Sequence, residues 1–434
     1  MTVALIDWSH LLEDFLDNLG VSFEAFRNEM TGGWMFGYVE ALRSAGCRTV
    51  LFCVSARVAQ ATRFAHAPTG ATICVLPAPA GYRRARLRIP NPYAVSLAEA
   101  AGELRGPRRW LAALLKELSP YLATPLRALA RELRRERCDV ILCQDYEHAR
   151  FDACVLLGRL QRLRVYGTFQ GGNGQLSRFE RPLRPLALRA CSGLVVGSTV
   201  EADRLRRRYR VPACKIARIF NPLDLRLWPP ADRSDRDLAR SALGIPRAAR
   251  VAAWHGRVDL HRKGLDVLAA AWSAVRRARP GRDLRLLLLG TGRDAAALRA
   301  LLGGDLDSGI HWIDRYVNDR EVIRRHLAAA DVYAFPSRNE GFPVAPVEAM
   351  ACGLPVVAAD APGVADVLGE GDAAAGMIVP AGDAAAFARA LGSLLDDESL
   401  SAGLGERARR RAEERFSHQS VGRELRAFLS GDAR

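Results

Sequence analysis

Short apolar runs alternate with amphipathic stretches along almost the whole chain. The runs that predict strands are 2–6, 48–54, 71–77, 139–143, 164–169 and 193–198 in the first half and 250–256, 284–290, 310–314, 331–336 and 355–360 in the second. The stretches that predict helices include 34–45, 110–136, 199–209, 265–279, 293–302 and 320–330. Alternating strands and helices predict βαβ units and parallel sheets, and continuous apolar strands predict that both faces of each sheet are covered.

The length and a proline-rich break predict two domains. A chain of 434 residues is too long for one ordinary hydrophobic core. Residues 221–237 (NPLDLRLWPPADRSDRD) are rich in proline and polar residues and precede a new helix and strand. We therefore expect an α/β domain over 1–220, a linker over 221–237, a second α/β domain over 238–415, and a C-terminal helix over 416–434 that crosses back to the first domain.

The composition predicts a globular protein of a reducing compartment. Nine cysteines occur, an odd number, and none shows the CxxC spacing of a zinc or redox site. Most lie inside apolar runs, which favours buried free thiols. The N-terminus, MTVALIDWSHLLED, lacks the basic start of a signal peptide, and no apolar run is long enough to span a membrane. The expected location is the cytoplasm, with peripheral binding to the inner face of the membrane left open.

The net charge of +15 lies almost entirely in the first half. Between Glu40 and Glu99 the sequence has eight arginines and no acidic residue. Such a surface suits an anionic membrane, a phosphorylated substrate or nucleic acid. No recognisable nucleic-acid-binding module is present, so we expect no nucleic acid partner, although a non-enzymatic nucleic-acid binder is a rival hypothesis. An ordinary solvated surface would also explain the charge.

The segment HGRVDLHRKGLD (255–266) follows a predicted strand and precedes a helix. Arg257 and Lys263 lie six residues apart in this loop, and glycines flank them. Two cations at the start of a helix suit a phosphate group, although a basic turn would have the same pattern. Lysine occurs only three times against 60 arginines, which singles out Lys263 as a compact point charge.

Two further loops follow predicted strands. In LLLLGTGRD (286–294), Gly290 and Gly292 permit either close approach to a ligand or close packing of a helix on a strand. In RNEGFPVAPVEAMACG (338–353), Glu340 follows a strand and precedes a short helix that contains Glu348. The positive end of that helix would stabilise a carboxylate or phosphate. A buried Glu348 needs a partner, such as the vicinal hydroxyls of a ribose.

The pair Glu340–x7–Glu348, within EGFPVAPVEAMACGLPVVAAD, resembles the signature of retaining glycosyltransferases of the GT-B fold, especially family GT4. The segment GRVDLHRKGLD resembles the diphosphate-binding loop of that family, and IFNPLDLRLW (219–228) resembles its interdomain element. The resemblance covers residues 219–420 closely and the first half loosely. It implies the α/β GT-B fold, with two Rossmann-like, doubly wound domains that face an interdomain cleft.

The resemblance also implies roles for individual residues. Glu340, Arg257 and Lys263 would be catalytic, with the two cations on the donor diphosphate and Glu340 on the donor sugar. Glu348 would bind the ribose. The remaining donor-binding residues would be Gly256, Gly290, Tyr316, Val317, Gly341 and Phe342. The reaction would be a metal-independent hexosyl transfer with retention from a nucleotide-diphosphate sugar, UDP- or GDP-linked, with no other cofactor.

The first half departs from the family pattern at two places. Residues 8–30 are inserted before the glycine-rich loop, which we assign to Gly32 and Gly33 on the phosphate side; an ordinary helix-start turn is the alternative. The histidine that lines the sugar pocket in many relatives is absent from YGTFQGGNGQ (166–175). Gln170 or Asn173 would take its place on the acceptor side, or His148 would substitute for it.

The acceptor is predicted only as a hydroxyl compound. Segments 83–88 and 108–137 combine arginine clusters with apolar faces, which suits an in-plane helix at an anionic membrane and a polyprenyl-linked or other lipid-linked acceptor. A soluble secondary metabolite is the alternative. A GT-B relative with altered chemistry, such as a sugar-nucleotide epimerase or a phosphorylase, is also possible from the sequence.

Overall fold

The computed structural model describes residues 1–89, 107–171, 176–303, 309–317, 319–340 and 342–432. These residues form two compact units. The first unit contains residues 1–222 and the C-terminal segment that begins at Val421. The second unit is the continuous stretch Leu223–Ser420.

Each unit is built on one sheet with helices between its strands. The strands are β1 (Thr2–Ile6), β2 (Arg48–Ser55), β3 (Thr62–Ala65), β4 (Thr72–Pro77), β5 (Val140–Cys143), β6 (Arg164–Thr168), β7 (Gly193–Val196), β8 (Ile216–Arg218), β9 (Arg250–His255), β10 (Leu284–Leu289), β11 (Ile310–Ile313), β12 (Val332–Phe335), β13 (Val356–Ala359) and β14 (Gly376–Val379).

The helices in the described residues are α1 (Leu12–Leu19), α2 (Phe23–Asn28), α3 (Gly33–Ser44), α4 (Ala80–Arg86), α5 (Pro107–Leu122), α6 (Leu126–Arg135), α7 (Ala149–Gln161), α8 (Glu180–Ala190), α9 (Thr199–Tyr209), α10 (Arg233–Ala242), α11 (Leu265–Arg277), α12 (Ala295–Leu302), α13 (Arg320–Ala329), α14 (Val344–Ala351), α15 (Val364–Leu368), α16 (Ala384–Asp396), α17 (Glu398–Phe416) and α18 (His418–Ser430). Short 3-10 turns cover Ala213–Lys215, Leu225–Leu227 and Gly371–Ala373.

The sheet of the first unit has the strand order β3-β4-β2-β1-β5-β6-β7-β8. Every neighbouring pair is parallel except β3–β4, which is antiparallel. The central strand β1 pairs on both sides, and Val3 lies opposite Thr49 of β2 and Val140 of β5. The edge strands β3 and β8 were not predicted, because an edge strand does not need a continuous apolar run.

The sheet of the second unit has the strand order β11-β10-β9-β12-β13-β14, and all its pairs are parallel. Its strands β9 to β13 coincide with the predicted apolar runs, and β14 is the strand that the sequence did not reveal. The predicted parallel α/β architecture of both halves is confirmed. In both sheets, loops that follow the parallel strands emerge at the carboxyl edge, where ligands of doubly wound sheets bind.

The single helix predicted over 110–136 is wrong. The structure has two helices there, α5 and α6, separated by residues 123–125. Pro125 precedes α6, and the ring of a proline disfavours a helical conformation in the preceding residue, Thr124. The segment 108–137 is therefore not one in-plane membrane helix.

The predicted linker 221–237 is not free of structure. It contains the turn Leu225–Leu227 and the start of α10 at Arg233. A capping box fixes that start, since Asp232 accepts a hydrogen bond from the backbone N–H of Asp235 while the side chain of Asp235 accepts one from Asp232. The inserted stretch 8–30 forms α1 and α2.

The C-terminal helix α18 begins at His418 rather than at 416. Its side chains Val421, Leu425 and Leu429 are fully buried in the core of the first unit, together with Val3 and Leu5 of β1. The helix therefore completes a core that the first 222 residues begin.

The structure also bears on the expected buried thiols and on the expected absence of a membrane-spanning helix. All nine cysteines are free, and all but Cys214 are buried, as the apolar runs predicted. Among the described residues, no helix combines the length and the hydropathy needed to cross a bilayer.

The loops that follow β9 and β10 approach each other closely through glycines. Gly290 has φ 131°, and a Cβ built on it would lie 1.9 Å from the carbonyl oxygen of Gly256. A Cβ on Gly292 would lie 2.0 Å from the carbonyl oxygen of Val258. The GxG motif thus packs the backbone of one loop against the backbone of the other, and its approach to a ligand stays a prediction.

We expect Gly290→Ala to lower the free energy of unfolding by more than about 3 kcal/mol, since the methyl group overlaps a carbonyl oxygen and the backbone must move. Gly281→Ala is the matched control. Gly281 also has a positive φ, 83°, but nothing lies within 4 Å of its built Cβ, so only conformational strain of about 1 kcal/mol remains. Urea denaturation measures both variants. Equal losses would contradict the close-approach explanation.

Candidate functional site

The candidate residues of the second unit lie at the carboxyl edge of its sheet. Strand β9 ends at His255 and is followed by Gly256 and Arg257, while β12 ends five residues before Glu340. Because β9 and β12 are neighbours in the sheet, their loops emerge side by side. Residues 77 positions apart in sequence thus become neighbours in space.

Lys263 and Glu340 form an ion pair at this edge. The ammonium nitrogen of Lys263 donates to Oε1 of Glu340 at 2.7 Å. The Lys263 side chain is 20% exposed and that of Glu340 is 6% exposed. A nearly buried carboxylate requires such a partner, because burial removes its hydration. The pair therefore holds one cation and one carboxylate at a place that solvent reaches only partly.

Glu348 is held by a histidine that the sequence analysis did not single out. Oε2 of Glu348 lies 2.9 Å from Nε2 of His255, the last residue of β9. Nδ1 of His255 is buried and has no hydrogen-bond partner among the described residues. The hydroxyl of Tyr333 lies 3.3 Å from the carbonyl oxygen of His255, to which it donates. This network orients the Glu348 carboxylate.

Arg338 ties the loop after β12 to the loop after β9. Its guanidinium binds both carboxylate oxygens of Asp266 at 2.7 Å and the carbonyl oxygen of His261 at 2.8 Å. Burial raises the pKa of Asp266, but the hydrogen bonds and charge of Arg338 outweigh it and lower that pKa below its ordinary value. Asp266 is in the first turn of α11, so the bidentate contact fixes both loops to that helix.

Gly264 allows the same two loops to touch. It is the residue before α11, has φ 64°, and a Cβ on it would lie 2.0 Å from the carbonyl oxygen of Pro336. Only glycine fits this combination of left-handed backbone and close contact. The backbone of Pro336, which directly follows β12, therefore permits only glycine at the position after Lys263.

The other predicted donor residues are less tightly held. Arg257 is exposed and makes no hydrogen bond or ion pair with the described part of the chain, although its charge helps to lower the pKa of Asp259. Tyr316, beyond the end of β11, is 73% exposed, and Val317 is partly buried. Gly341 lies outside the described residues, and Phe342 packs near Phe416 with ring centroids 6.3 Å apart.

On the first unit, Gly32 and Gly33 lie at the start of a helix, as predicted. Gly32 has φ 69° and precedes α3, whose first residue is Gly33. The start of this helix presents unpaired backbone N–H groups, which suits an anion. The assignment of this loop to a phosphate remains a prediction.

The amide of Gln170 is engaged by its neighbours. Its Nε2 donates to Oγ1 of Thr168 at 3.1 Å, and its Oε1 accepts from Nδ2 of Asn221 at 3.0 Å. Asn221 also accepts a hydrogen bond from the hydroxyl of Tyr38 at 3.0 Å. Gln170 therefore joins β6 to the segment after β8. The alternative candidate Asn173 lies outside the described residues.

His148 belongs to a cluster at the carboxyl ends of β1 and β5. Its ring stacks on Trp8, with centroids 5.0 Å apart, and its Nε2 lies 4.0 Å from Oδ2 of Asp145. Burial, reinforced by the positive charge of Arg184, lowers the pKa of His148 to about 4. The imidazole is therefore neutral at pH 7, and it is not a surface helix residue.

Asp145 carries a perturbed carboxyl group in this cluster. It has φ 69°, a left-handed conformation that is uncommon outside glycine. Burial raises the pKa of Asp145 to about 7, and the nearby Glu147 carboxylate adds to the rise. Perturbed carboxyl groups at the ends of strands are functional-site candidates. The sequence signal was present, since Asp145 directly follows the apolar run VILC and Gln144.

The Lys263–Glu340 pair generates a stability prediction. We expect Lys263→Met to lower the free energy of unfolding by about 3 kcal/mol at pH 7, because the nearly buried Glu340 carboxylate loses its counter-charge. The double variant Lys263→Met/Glu340→Gln should lose clearly less, since no unpaired charge remains. Chemical denaturation of the three proteins measures both values. A double variant as unstable as the single one would show that the pair is not coupled.

Two family models match the chain in succession. The model described as Glycosyltransferase Family 4 matches residues 35–227, which lie in the first unit except for the last five. The model described as Glycosyl transferases group 1 matches residues 249–397 and includes the loops that carry Lys263, Glu340 and Glu348.

Curated relatives match about half of the chain. A D-inositol 3-phosphate glycosyltransferase of Saccharomonospora viridis is 35% identical over 230 residues, 52% of each chain. A GDP-mannose-dependent monoacylated alpha-(1-6)-phosphatidylinositol monomannoside mannosyltransferase of Corynebacterium glutamicum is 32% identical over 219 residues, 49% of this chain and 55% of the relative. The match thus spans about half the length of these relatives.

Solved structures of similar fold match nearly the whole chain. Sucrose-phosphate synthase from Thermosynechococcus elongatus has a TM-score of 0.65 at 20% identity and covers 99% of this chain and 98% of its own. HepE of Anabaena in complex with UDP has a TM-score of 0.66 at 16% identity, covering 99% and 100%. WaaG, a glycosyltransferase of lipopolysaccharide biosynthesis, has a TM-score of 0.59 at 13% identity, covering 99% and 100%. The chain belongs to the GT4-like glycosyltransferases and has the GT-B fold.

Proposed function

We propose that this protein transfers a hexosyl unit from a nucleotide-diphosphate sugar to a hydroxyl acceptor, with retention of configuration. The observation that carries the proposal is the contact between Lys263 and Glu340 at the carboxyl edge of the second sheet. This contact brings a cation and a carboxylate together beside the start of α14. A diphosphate and a sugar hydroxyl are the groups that such a combination binds.

Lys263 and Arg257 would bind the donor diphosphate. Lys263 is fixed by Glu340, whereas Arg257 is exposed on the same loop and free to turn toward an anion. The backbone N–H groups at the start of α14 add a fixed positive potential. These charges would stabilise the departing diphosphate, which is the main catalytic contribution expected here. We propose that no metal ion is needed for this purpose.

Glu348 would bind the two ribose hydroxyls. His255 occupies Oε2, and Oε1 has no hydrogen-bond partner among the described residues, which leaves an oxygen to accept from a ligand. Glu340 would contact the donor sugar near the backbone of Phe342 and Gly341. Tyr316 and Val317 would face the base, together with Gly256 and Gly290 at the neighbouring loops.

The acceptor would be a polyol of the inositol type, either free or linked to a lipid. The support comes from two relatives, one that acts on D-inositol 3-phosphate and one that acts on a phosphatidylinositol monomannoside. Both acceptors offer ring hydroxyls beside a phosphate group.

A basic and apolar surface on α4 and α5 supports peripheral binding to an anionic membrane. Leu87, after α4, is 85% exposed, and Trp110 of α5 is 69% exposed. Exposed arginines accompany both side chains, namely Arg83, Arg84, Arg88, Arg108 and Arg109. An amphipathic aromatic side chain among arginines is typical of interfacial contact with anionic lipid. The two helices contact each other, so the residues belong to one part of the first unit.

The donor site is tested by thermal unfolding with UDP-, GDP-, ADP- and dTDP-sugars, with and without EDTA. We expect one nucleotide to raise the Tm in a way that EDTA does not change, because a ligand that binds only the native state stabilises it. Glu348→Ala should abolish most of this rise, since the ribose loses its acceptor.

Glu370→Ala serves as the control, because Glu370 is an exposed carboxylate on the same unit. A rise that disappears with EDTA would contradict metal independence. A Glu348→Ala variant that keeps the full rise would contradict the ribose assignment. Product analysis with the identified donor, myo-inositol and D-inositol 3-phosphate then tests transfer and its stereochemistry.

The basic and apolar surface on α4 and α5 predicts that the protein binds vesicles that contain phosphatidylserine. We expect the protein to co-sediment with them at low salt and to dissociate as salt screens the arginines. Leu87→Ala/Trp110→Ala should weaken binding at least about fivefold, since two apolar anchors are lost. Leu301→Ala, which removes an exposed leucine of the second unit, is the matched control. Equal binding by all three proteins would show that this surface does not bind the membrane.

A further inference from the structure

Helices α7 and α8 of the first unit expose leucines to solvent. Leu156 and Leu160 of α7 and Leu183 and Leu186 of α8 are between 44% and 75% exposed. The two helices contact each other. A single exposed leucine needs no explanation, but four of them on adjacent helices form an apolar patch, and such patches mark interaction surfaces.

The exposed leucines form one outward stripe on each helix. Leu156 and Leu160 are four residues apart, while Leu183 follows Phe179 by four residues and precedes Leu186 by three. Residues three or four positions apart lie on the same face of a helix. Phe179, which directly precedes α8, is exposed as well. Each helix therefore presents an apolar face to the outside of the unit.

An ion-pair network lies on the buried side of these helices. Arg184 of α8 donates to Oδ1 of Asp152 on α7 at 2.7 Å and to Oε1 of Glu180 at 3.0 Å. The hydroxyl of Tyr121, on α5, donates to Oδ2 of Asp152 at 2.7 Å. Buried charges of this kind are stable only when they are paired. The network joins α5, α7 and α8, and it keeps the exposed leucines on the outside.

Helices α7 and α8 belong to the same layer of the first unit as α4. Side chains of all three helices pack in one core with Ala4 and Ile6 of β1. Val3 and Leu5 of that strand pack in the other core, which includes α18, because successive residues of a strand point to opposite faces of the sheet. Helix α5 contacts both α4 and α7. The exposed leucines therefore continue the basic and apolar surface on α4 and α5.

The exposed charges near the leucines have one sign. Between residues 149 and 190 the sequence has two acidic residues, Asp152 and Glu180, and both are buried and bound to Arg184. The exposed charged residues described in this stretch are all arginines, namely Arg159, Arg162, Arg164, Arg178, Arg181 and Arg189. An anionic bilayer complements this surface, because its phosphates attract arginines and its hydrocarbon takes up leucines.

A second copy of the chain complements this face poorly. Two copies that met through α7 and α8 would bring arginines against arginines, with no exposed carboxylate from residues 149–190 between them. Like charges that face each other across an interface oppose association. The charge of the surface thus favours a lipid bilayer over a symmetric dimer.

We propose that α7 and α8 dock on an anionic lipid bilayer, with their four exposed leucines inserted below the headgroups and the surrounding arginines on lipid phosphates. This inference rests on the membrane binding proposed for the first unit and deepens it. The docking face is a rigid pair of helices, fixed by the buried Arg184 network, in addition to α4 and α5.

The double variant Leu183→Ser/Leu186→Ser tests this face. Both side chains are exposed, so we expect the Tm to stay unchanged. The apparent Kd for vesicles of phosphatidylcholine and phosphatidylserine should rise at least about fivefold, because two apolar anchors are lost. Leu156→Ser/Leu160→Ser, on α7, should have the same effect. The matched control is Leu238→Ser/Leu301→Ser, which changes two exposed leucines of the second unit and should bind like the wild type.

A fluorescent label distinguishes insertion from electrostatic contact alone. Cys214→Ser removes the one exposed cysteine of the chain, and Leu186→Cys in that background receives a nitrobenzoxadiazole dye. We expect the emission of the dye to shift to shorter wavelength with the anionic vesicles and to stay unchanged with vesicles of phosphatidylcholine alone. The same dye at Leu301→Cys is the control and should show no shift with either.

The outcomes separate this inference from the surface on α4 and α5. If the α7 and α8 variants bind vesicles like the wild type while Leu87→Ala/Trp110→Ala does not, α7 and α8 do not dock and the inference is wrong. A loss of binding without a shift of the dye would overturn insertion. If the wild type binds no anionic vesicles, both membrane proposals fail. A dimer in sedimentation velocity that Leu183→Ser/Leu186→Ser abolishes would then assign the face to a second copy.

Discussion

The burial of both faces of each parallel sheet is the constraint on which the rest of the structure depends. Strands such as β1, β10 and β12 carry apolar side chains on both faces, because helices cover both sides. Charged groups are disfavoured on such buried strands, so most of them lie in the helices and in the loops at the strand ends. The carboxyl edge of each sheet thereby becomes the place where Lys263, Glu340 and Asp145 can exist partly shielded from water.

The same constraint explains how much could be predicted from the sequence. Continuous apolar runs identified eleven strands, and the parallel architecture followed from their alternation with helices. It also located Glu340 and Lys263 in the correct loops, because a polar residue that directly follows such a run must lie at the strand end. The apolar neighbours of Glu348 indicated that it lies on a short buried helix, which the structure confirms in α14.

The remaining features depend on contacts that spacing does not encode. His255 is the last residue of an apolar strand, and only the folded structure brings its ring to Glu348, 93 residues further along the chain. Asp145 follows an apolar run, but its raised pKa comes from burial and from the Glu147 carboxylate, which together outweigh the opposing charges of Arg184 and Arg204. Edge strands such as β3 are too short and polar to show an apolar run. The division of 107–135 into two helices depends on Pro125. The apolar periodicity continues across this proline, and it therefore predicted one helix.

The order in which the chain is synthesised gives the arrangement of the two units a further consequence. The second unit is a continuous insertion, and its first residue, Leu223, donates a hydrogen bond to the carbonyl of Phe416 near its end. It can therefore close on itself as soon as it leaves the ribosome. The first unit begins earlier but lacks Val421, Leu425 and Leu429 until α18 emerges. The half that starts first is thus the half that finishes last, and its core stays incomplete during synthesis of all of Leu223–Ser420.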